Sequence, residues 1–281
     1  MFKSTTLKNE KGFTLIEMMI AAFIGLMVLG GSIYVFNKQN TLIRKENART
    51  DVRALGRFAM AELATEIRRS GYGFPDGWGI FVAEPDQLTF FANTFDTNGG
   101  LIGVQEAYTT GTADVAGGTA IVQVADASAF SNNNRIVVFD ASSTVANPWA
   151  ATVVGTDDVS SPNTITLSSN NPTLLEVLNG IVVNQYQTIV YDFDSGNGLL
   201  TVSSDPGGGA VVIPVIGNVT ALNFTYFDAT GAQIIPAVPP ALDVTERSLI
   251  RKIIISLTLQ HATESSVTLN FNTDIEIRNN G

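Results

Sequence analysis

Residues 11–36 read KGFTLIEMMIAAFIGLMVLGGSIYVF, and this stretch decides how the rest of the chain is interpreted. As a helix rising about 1.5 Å per residue, its apolar part, residues 13–36, would span roughly 36 Å, more than the hydrocarbon core of a bilayer, which is about 30 Å thick. A secretory signal peptide has a shorter apolar region that ends in a small-residue cleavage site. The stretch therefore predicts a transmembrane helix.

The charges before this helix predict its orientation. Lys3, Lys8 and Lys11 precede the apolar run, and Glu10 is the only acidic residue among them. Positive charges next to a membrane helix favour the cytoplasmic side. We therefore expect a single-pass protein with a cytoplasmic N-terminus and its larger part on the other side of the membrane.

Glu17 is the only charged residue within the apolar run. An unpaired carboxylate inside a bilayer costs roughly a few kcal/mol or more, so Glu17 needs a partner unless it lies near enough to the membrane surface to remain hydrated. From this residue alone, both interpretations stay open.

The heptapeptide at residues 11–17, KGFTLIE, resembles the processing site of type IV prepilins and of the pseudopilins of type II secretion. The resemblance implies that a membrane-embedded prepilin peptidase removes residues 1–12 as a cytoplasmic leader by cutting between Gly12 and Phe13, and then methylates the new Phe13 amine. It also implies a place in the bacterial inner membrane with a periplasmic head, followed by assembly into a pilus or pseudopilus. The implied partners are other pilin or pseudopilin subunits, the peptidase and an inner-membrane assembly platform.

This cleavage would give Glu17 a partner. It creates a cationic amine at Phe13, about one helical turn from the Glu17 carboxylate. In a filament core of low effective dielectric, pairing between the amine of one subunit and Glu17 of the next would be worth roughly several kcal/mol, offset by desolvation. We therefore predict that Glu17 is an assembly carboxylate that mainly fixes subunit register.

The helix is predicted to continue well beyond the membrane, over residues 13–71. The chain has no proline before Pro75, and Gly71 is suitably placed as a left-handed terminator. Apolar residues recur at helical spacing and predict one buried stripe, formed by Val52, Leu55, Ala59, Leu63 and Ile67.

Residues 72–281 are predicted to form a β-rich head, because short runs of Val, Ile, Thr and Phe alternate there with Asn, Asp and Gly. A hairpin is expected within residues 191–204, with its turn at residues 196–198. The fold class is thus α+β, a long N-terminal helix packed on a mainly antiparallel β head. The candidate strands are residues 88–91, 120–124, 135–139, 164–167, 188–193, 199–202, 221–227, 250–259 and 267–277.

Residues 110–182 have a different texture, low in charge and rich in Ala, Thr, Asn and Gly. This texture predicts an inserted β module on the head. A binding module and an inert spacer are equally compatible with these residues.

Several later segments resemble PilW-type minor pilins and, more loosely, J-type minor pseudopilins. This resemblance implies a low-abundance subunit that helps to initiate or cap a pilus. The alternatives are a minor pseudopilin of a type II secretion system and a pilus-tip adhesin, active in cell adhesion through the inserted module. The segments are GRFAMAELATEIRRSGYG (56–73), IVYDF (189–193), VTALNFTYFDATGAQ (219–233), IRKIIISLTLQ (250–260) and DIEIRNNG (274–281).

The residues that could carry chemistry are few, so we predict neither an enzyme nor a cofactor. The chain has one histidine, His261, which we expect to be a solvent-facing strand residue, and it has no cysteine. Asp192, Asp194 and Asn197 partly match a calcium loop, but the downstream bidentate Glu is missing at the required spacing. The net charge of −10 argues against direct binding of nucleic acid, which requires clustered Lys and Arg.

Overall fold

The computed structural model describes residues 13–71, 74, 79–93, 105–107, 114–115, 119–124, 126–140, 149–159, 163–168, 181–205 and 209–277. A long N-terminal helix is followed by a mainly antiparallel β-rich head, which confirms the α+β class. Clustering of backbone contacts gives two compact units, residues 1–50 and 51–281. The helices are α1 (Leu15–Ile67) and α2 (Val244–Ser248), with a short 3-10 helix at Ala127–Ala129. The strands are β1 (Ile80–Ala83), β2 (Gln87–Asn93), β3 (Gln105–Ala107), β4 (Asp114–Val115), β5 (Thr119–Val124), β6 (Arg135–Asp140), β7 (Trp149–Asp157), β8 (Asn163–Leu167), β9 (Ile181–Asp194), β10 (Leu199–Asp205), β11 (Val211–Ile216), β12 (Val219–Phe227), β13 (Lys252–Gln260) and β14 (Thr268–Glu276).

The C-terminal part of α1 belongs to the core of the larger unit. Val52, Ala59, Leu63 and Ile67 are buried, as the stripe predicted, but Leu55 is 42% exposed, so that its assignment to the stripe was wrong. Gly56 lies on the buried face instead. At Gly56 the helix backbone itself approaches a strand. The buried face of the helix therefore contains a glycine at this position instead of a large apolar side chain.

That strand is β14. A Cβ atom added to Gly56 would lie 2.3 Å from the ring of Phe271, far inside van der Waals contact. Alanine at position 56 would gain up to about 1 kcal/mol in helix propensity. Overpacking typically costs about 1–3 kcal/mol, and here the Phe271 ring would have to move.

We therefore expect Gly56→Ala to destabilise the larger unit, but to stabilise it when Phe271 is also replaced by alanine. The measurement is chemical denaturation of the four proteins of this double-mutant cycle, each as the full chain in lipid nanodiscs. An equal effect of Gly56→Ala in both backgrounds would contradict the close approach.

The end of α1 is fixed by the strands that follow it. Gly71 has φ +72°, the left-handed conformation predicted for the terminator, and its amide donates to the carbonyl of Phe91 (3.1 Å). The Ser70 hydroxyl donates to the carbonyl of Gly79 (3.0 Å). Regular α-helix ends at Ile67, and residues 68–71 form turns.

The long strand β9 links two parts of the larger sheet. Its first half pairs with β3 on one side and with β6 on the other, and its second half pairs with β2 and β10. Strands β9, β3, β5, β8, β7 and β6 pair in that order, and β6 returns to β9. The first half of β9 therefore closes a six-stranded barrel, and its second half is the centre of an open sheet, β1-β2-β9-β10-β11.

The barrel has an apolar interior. Its core includes the buried side chains of Val122, Ile136, Val153, Leu167 and Val183, each from a different strand. The barrel involves β3 and the start of β9 as well as residues 119–167, so it extends beyond both ends of the predicted 110–182 module. Whether residues 110–182 form a separate module stays a prediction.

A second, three-stranded antiparallel sheet is formed by β12, β13 and β14. Burial alternates strictly along β13, as expected for a strand with one face on a core. Two hydrogen bonds join this sheet to the turn between β1 and β2. The Phe224 amide donates to the carbonyl of Pro85 (2.7 Å), and the Tyr226 hydroxyl donates to the carbonyl of Glu84 (2.7 Å).

Candidate membrane-anchoring and assembly site

The N-terminal half of α1 is long and apolar enough to cross a membrane, and every residue from 13 to 39 is exposed. Large apolar side chains are uncovered throughout this segment, for example Phe13 (87%), Met18 (69%) and Leu26 (68%). Water does not favour a continuous exposed apolar surface of this size, which marks a membrane or protein contact.

The start of α1 is a reciprocal capping box between Thr14 and Glu17. The Glu17 carboxylate accepts hydrogen bonds from the Thr14 amide (2.9 Å) and the Thr14 hydroxyl (2.9 Å), both at Oε2. The Thr14 hydroxyl oxygen accepts in return from the Glu17 amide (3.3 Å). This arrangement satisfies amide groups that every helix N-terminus leaves unpaired.

The capping box gives Glu17 a local role that the sequence analysis missed. The signal was present, because Thr-x-x-Glu ahead of an apolar run is a recognised helix start. The box also holds the Glu17 side chain at the first turn of the helix. Because both bonds from Thr14 end on Oε2, the other carboxylate oxygen can serve a second donor.

The remaining predicted residues of this site lie outside the described residues. These are Gly12 and the leader charges Lys3, Lys8 and Lys11. Phe13 is described and lies directly before the helix. Cleavage and methylation at this point stay predictions.

The predicted hairpin at residues 191–204 is confirmed, since β9 and β10 pair through a turn in which Gly198 has φ +62°. Asp194 organises the turn. Its Oδ1 accepts from the amides of Gly196 (2.9 Å) and Asn197 (3.1 Å), and its Oδ2 accepts from the Asn197 side chain (2.6 Å). Bonds from the Asn197 side chain and amide hold the pKa of Asp194 below its usual range.

This arrangement gives the three calcium-candidate residues another role. Asp194 and Asn197 bond to each other, and Asp192 accepts a hydrogen bond from Gln87 (3.3 Å). Among the described residues, no group of three or more His, Cys, Asp or Glu side chains could hold a metal ion. The expectation of no metal, with these three residues as a weak calcium candidate, stays a prediction, and the observed geometry is that of a side-chain-capped turn.

We expect Asp194→Ala to destabilise the hairpin at neutral pH. The pKa of Asp194 is lower in the folded chain than in the unfolded chain. Its ionised carboxylate therefore stabilises the fold at pH values above the unfolded pKa, and this stabilisation is lost as pH falls through the folded pKa. The difference from wild type should therefore shrink on acidification. Hydrogen exchange of residues 188–205 across pH measures it, with exposed Asp158→Ala as the control. Protection of this hairpin by added Ca²⁺ would instead favour the metal interpretation.

His261 is not a strand residue, as had been expected, but begins the turn after β13. Its Nδ1 lies 3.1 Å from the amide of Glu264 and accepts from it, which leaves the proton on Nε2. That nitrogen lies 3.8 Å from a carboxylate oxygen of Asp51 on α1. This contact places the β13–β14 turn beside α1 at Asp51.

Together, the exposed apolar helix segment, its capped start and the β-rich head fit a protein that is anchored in a membrane by its N-terminal helix. A family model described as the prokaryotic N-terminal methylation motif matches residues 7–33. This match covers the predicted processing site and much of the apolar run, and it supports a place for the chain in the type IV pilin-like superfamily. Searches of curated proteins and of solved structures give no significant match.

Proposed function

We propose that this chain is a structural subunit of a type IV pilin-like filament, made as a precursor and processed between Gly12 and Phe13. The observation that carries the proposal is the methylation motif at residues 7–33, which overlaps the exposed apolar segment of α1 at residues 13–39. Prepilin peptidase removes residues 1–12, whose Lys3, Lys8 and Lys11 keep the leader in the cytoplasm. The peptidase then methylates the amine of Phe13.

The exposed helix has two successive environments under this proposal. Before assembly, residues 13–36 lie in the inner membrane and the head lies in the periplasm. In the filament, the same apolar surface packs against the helices of other subunits, so the burial that the membrane provided is retained. The apolar surface of residues 13–36 is therefore covered by lipid before assembly and by other subunits afterwards, so it can be exposed in a single chain.

Glu17 makes the move of the helix from the membrane into the filament specific. Its capping bonds with Thr14 do not involve the Phe13 amine, so the box persists after cleavage. We infer that the carboxylate meets the Phe13 amine of an adjacent subunit while Thr14 fixes its rotamer. A carboxylate that is already oriented loses less entropy on pairing.

The proposed place within the filament is that of a minor pilin that helps to initiate or cap it. The support is the resemblance of later segments to PilW-type minor pilins. A minor pseudopilin of a type II secretion system is the alternative, because it would use the same helix and processing. A tip adhesin is a further candidate, favoured by the closed barrel, which is a compact structure able to carry a binding surface.

Deletion of the gene in its native host tests the proposal, with the wild-type gene restored as the control. We expect few or no surface filaments without the protein, and sheared wild-type filaments that contain it as a small minority of subunits. Loss of protein secretion with normal piliation would identify the secretion alternative. Normal piliation with lost surface binding would identify the adhesin. If deletion alters none of the three, or if the protein never leaves the membrane fraction, the filament proposal fails.

A further inference from the structure

A cavity of about 490 Å³ lies beside the point where β9 passes from the barrel into the open sheet. Tyr186 marks this point, since it pairs with Arg135 of β6 on one side and with Asn93 of β2 on the other. The volume is within the range typical of small-molecule sites, about 300–1,000 Å³. The residues that define its character are Ile80, Phe81, Phe91, Tyr186, Arg135 and Arg247.

One wall of the cavity is a connected row of aromatic rings. The ring centroids of Phe81 and Phe91 are 5.5 Å apart, and those of Phe91 and Tyr186 are 4.9 Å apart. Phe74 supports the row at 5.9 Å from Tyr186, nearly edge-on. Phe91 and Tyr186 belong to adjacent paired strands, and Phe81 is 54% exposed, so its ring is open to a ligand. Such a wall favours an apolar or aromatic ligand body.

Two guanidinium groups supply the charge. Arg135 is held by Asp205 (Nη2 to Oδ2, 2.6 Å) and by the Thr188 hydroxyl (3.4 Å). Arg247 donates to the carbonyl of Leu242 (3.1 Å), and its guanidinium carbon is 5.9 Å from the centre of the Phe81 ring. Each guanidinium group is therefore oriented by hydrogen bonds within the chain.

The charges that line the cavity are of one sign. No acidic residue is among the described residues that line it, although Asp205 contacts Arg135 from outside. Burial lowers the pKa of the Arg247 guanidinium and the charge of Asp243 only partly offsets this effect, so a bound anion would stabilise the charged form further. The complement of this site is a negative group attached to an apolar body.

We propose that this cavity binds a small amphipathic carboxylate, in which an aromatic or short aliphatic body lies on the Phe81–Phe91–Tyr186 wall and the carboxylate contacts Arg247 and Arg135. Guanidinium groups bind carboxylates through charge-assisted, often bidentate hydrogen bonds. A cationic ligand would face the two guanidinium groups, of which Arg135 is already paired with Asp205. Among the described lining residues, most are apolar, so they offer few polar partners for the hydroxyl groups of a glycan. The site is independent of the proposed filament role.

The test uses the full chain in lipid nanodiscs and fluorine NMR of 3-(4-fluorophenyl)propionate, with the matching primary amide as a neutral probe. We expect saturable binding of the carboxylate above that of empty nanodiscs. Because hydrogen bonds to charged groups are worth more than neutral ones, the amide should bind about tenfold more weakly or worse. The comparison of the two probes on wild-type protein needs no variant.

Two variants locate the binding. Arg247→Gln should weaken the carboxylate by about tenfold and leave the amide nearly unchanged, since it removes charge and little volume. Ala150→Leu, which extends a lining side chain into the cavity, should weaken both probes. Arg53→Gln, an exposed site on α1, is the matched control and should change neither. Equal binding of carboxylate and amide, binding no greater than that of empty nanodiscs, or no effect of Arg247→Gln and Ala150→Leu would each overturn the proposal.

Discussion

Replacement of Glu17 by alanine is expected to leave a stable, membrane-inserted protein that does not enter filaments. The physical reason is that the Phe13 amine of the neighbouring subunit would then be buried without a counter-charge, and removing one partner of a buried ion pair typically costs about 3–5 kcal/mol. A loss of that size lowers an assembly equilibrium by two orders of magnitude or more. The measurement is the amount of the variant in sheared filaments relative to the membrane fraction.

Graded variants separate pairing from helix capping. Glu17→Gln keeps an acceptor for the Thr14 amide but removes the charge, so it should assemble nearly as poorly as Glu17→Ala. Thr14→Val removes the side-chain cap, which costs about 1 kcal/mol, and should reduce incorporation only moderately. Glu46→Ala, at an exposed position of the same helix, is the matched control. Normal incorporation of Glu17→Gln would show that the charge is not needed.

The largest stability effect is expected within the barrel, from Leu167→Ala. Leu167 is fully buried among the side chains of the barrel core. Such substitutions cost about 2–5 kcal/mol, since burial is lost and a cavity remains. Hydrogen exchange of residues 119–124 and 163–168 should accelerate strongly, while α1 residues 51–67 change less.

An exposed residue close in sequence provides the control for this prediction. Val159 is 92% exposed, and Val159→Ala should alter exchange by an amount equivalent to about 0.5 kcal/mol or less. If Leu167→Ala accelerates the barrel and all of α1 51–67 equally, then the barrel and the rest of the head unfold as one cooperative unit. If it accelerates neither, the ring of six strands is wrong.

The barrel also changes how a binding module should be tested. Deleting residues 110–182 would remove β4 to β8 and the first two residues of β9, and would uncover the buried side chain of Val183. Because β9 is also the central strand of the open sheet, loss of filaments after such a deletion would not distinguish a structural role from an adhesive one. Single surface substitutions on the barrel preserve β9 and avoid this problem.

The strands that could be predicted are those with a local signal. Alternating β-branched residues identified β12, β13 and β14, and the Gly-Asn-Gly sequence identified the β9–β10 turn. The strands that were missed lack this signal. β11 contains Pro214, β1 has only four residues, and β7 contains Gly155, so their pairing comes from neighbouring strands.

The barrel closure could not be predicted because it is non-local. Only residues 188–193 of β9 were expected, while the strand begins at Ile181, and its first half gains its partners from β3 and β6. Which strand pairs with β6 depends on the whole arrangement. Leu55 was assigned to the core wrongly although it fits the helical period. The core position next to it is occupied by the Phe271 ring, which packs against Gly56.

At the candidate site, the residue types were predictable and the local geometry was only partly so. The heptapeptide KGFTLIE indicated Gly12 and Phe13 as the predicted cleavage position. Glu17 stood out because it is a carboxylate within an apolar run. The capping bonds from Thr14 were overlooked because Glu17 was interpreted only through its intermolecular partner. The aromatic cavity had no local signal at all, since β1, β2, β6, β7, β9 and α2 each contribute one or two residues.

The most direct test of the central claim is the mass of the N-terminal peptide of the protein from native filaments or membranes. We expect a peptide that begins at Phe13 and carries one methyl group in place of a hydrogen on its amine. An otherwise identical Gly12→Val chain should retain residues 1–12. A wild-type protein that begins at Met1, or at a residue beyond the apolar segment, would contradict the assignment of this chain as a processed filament subunit.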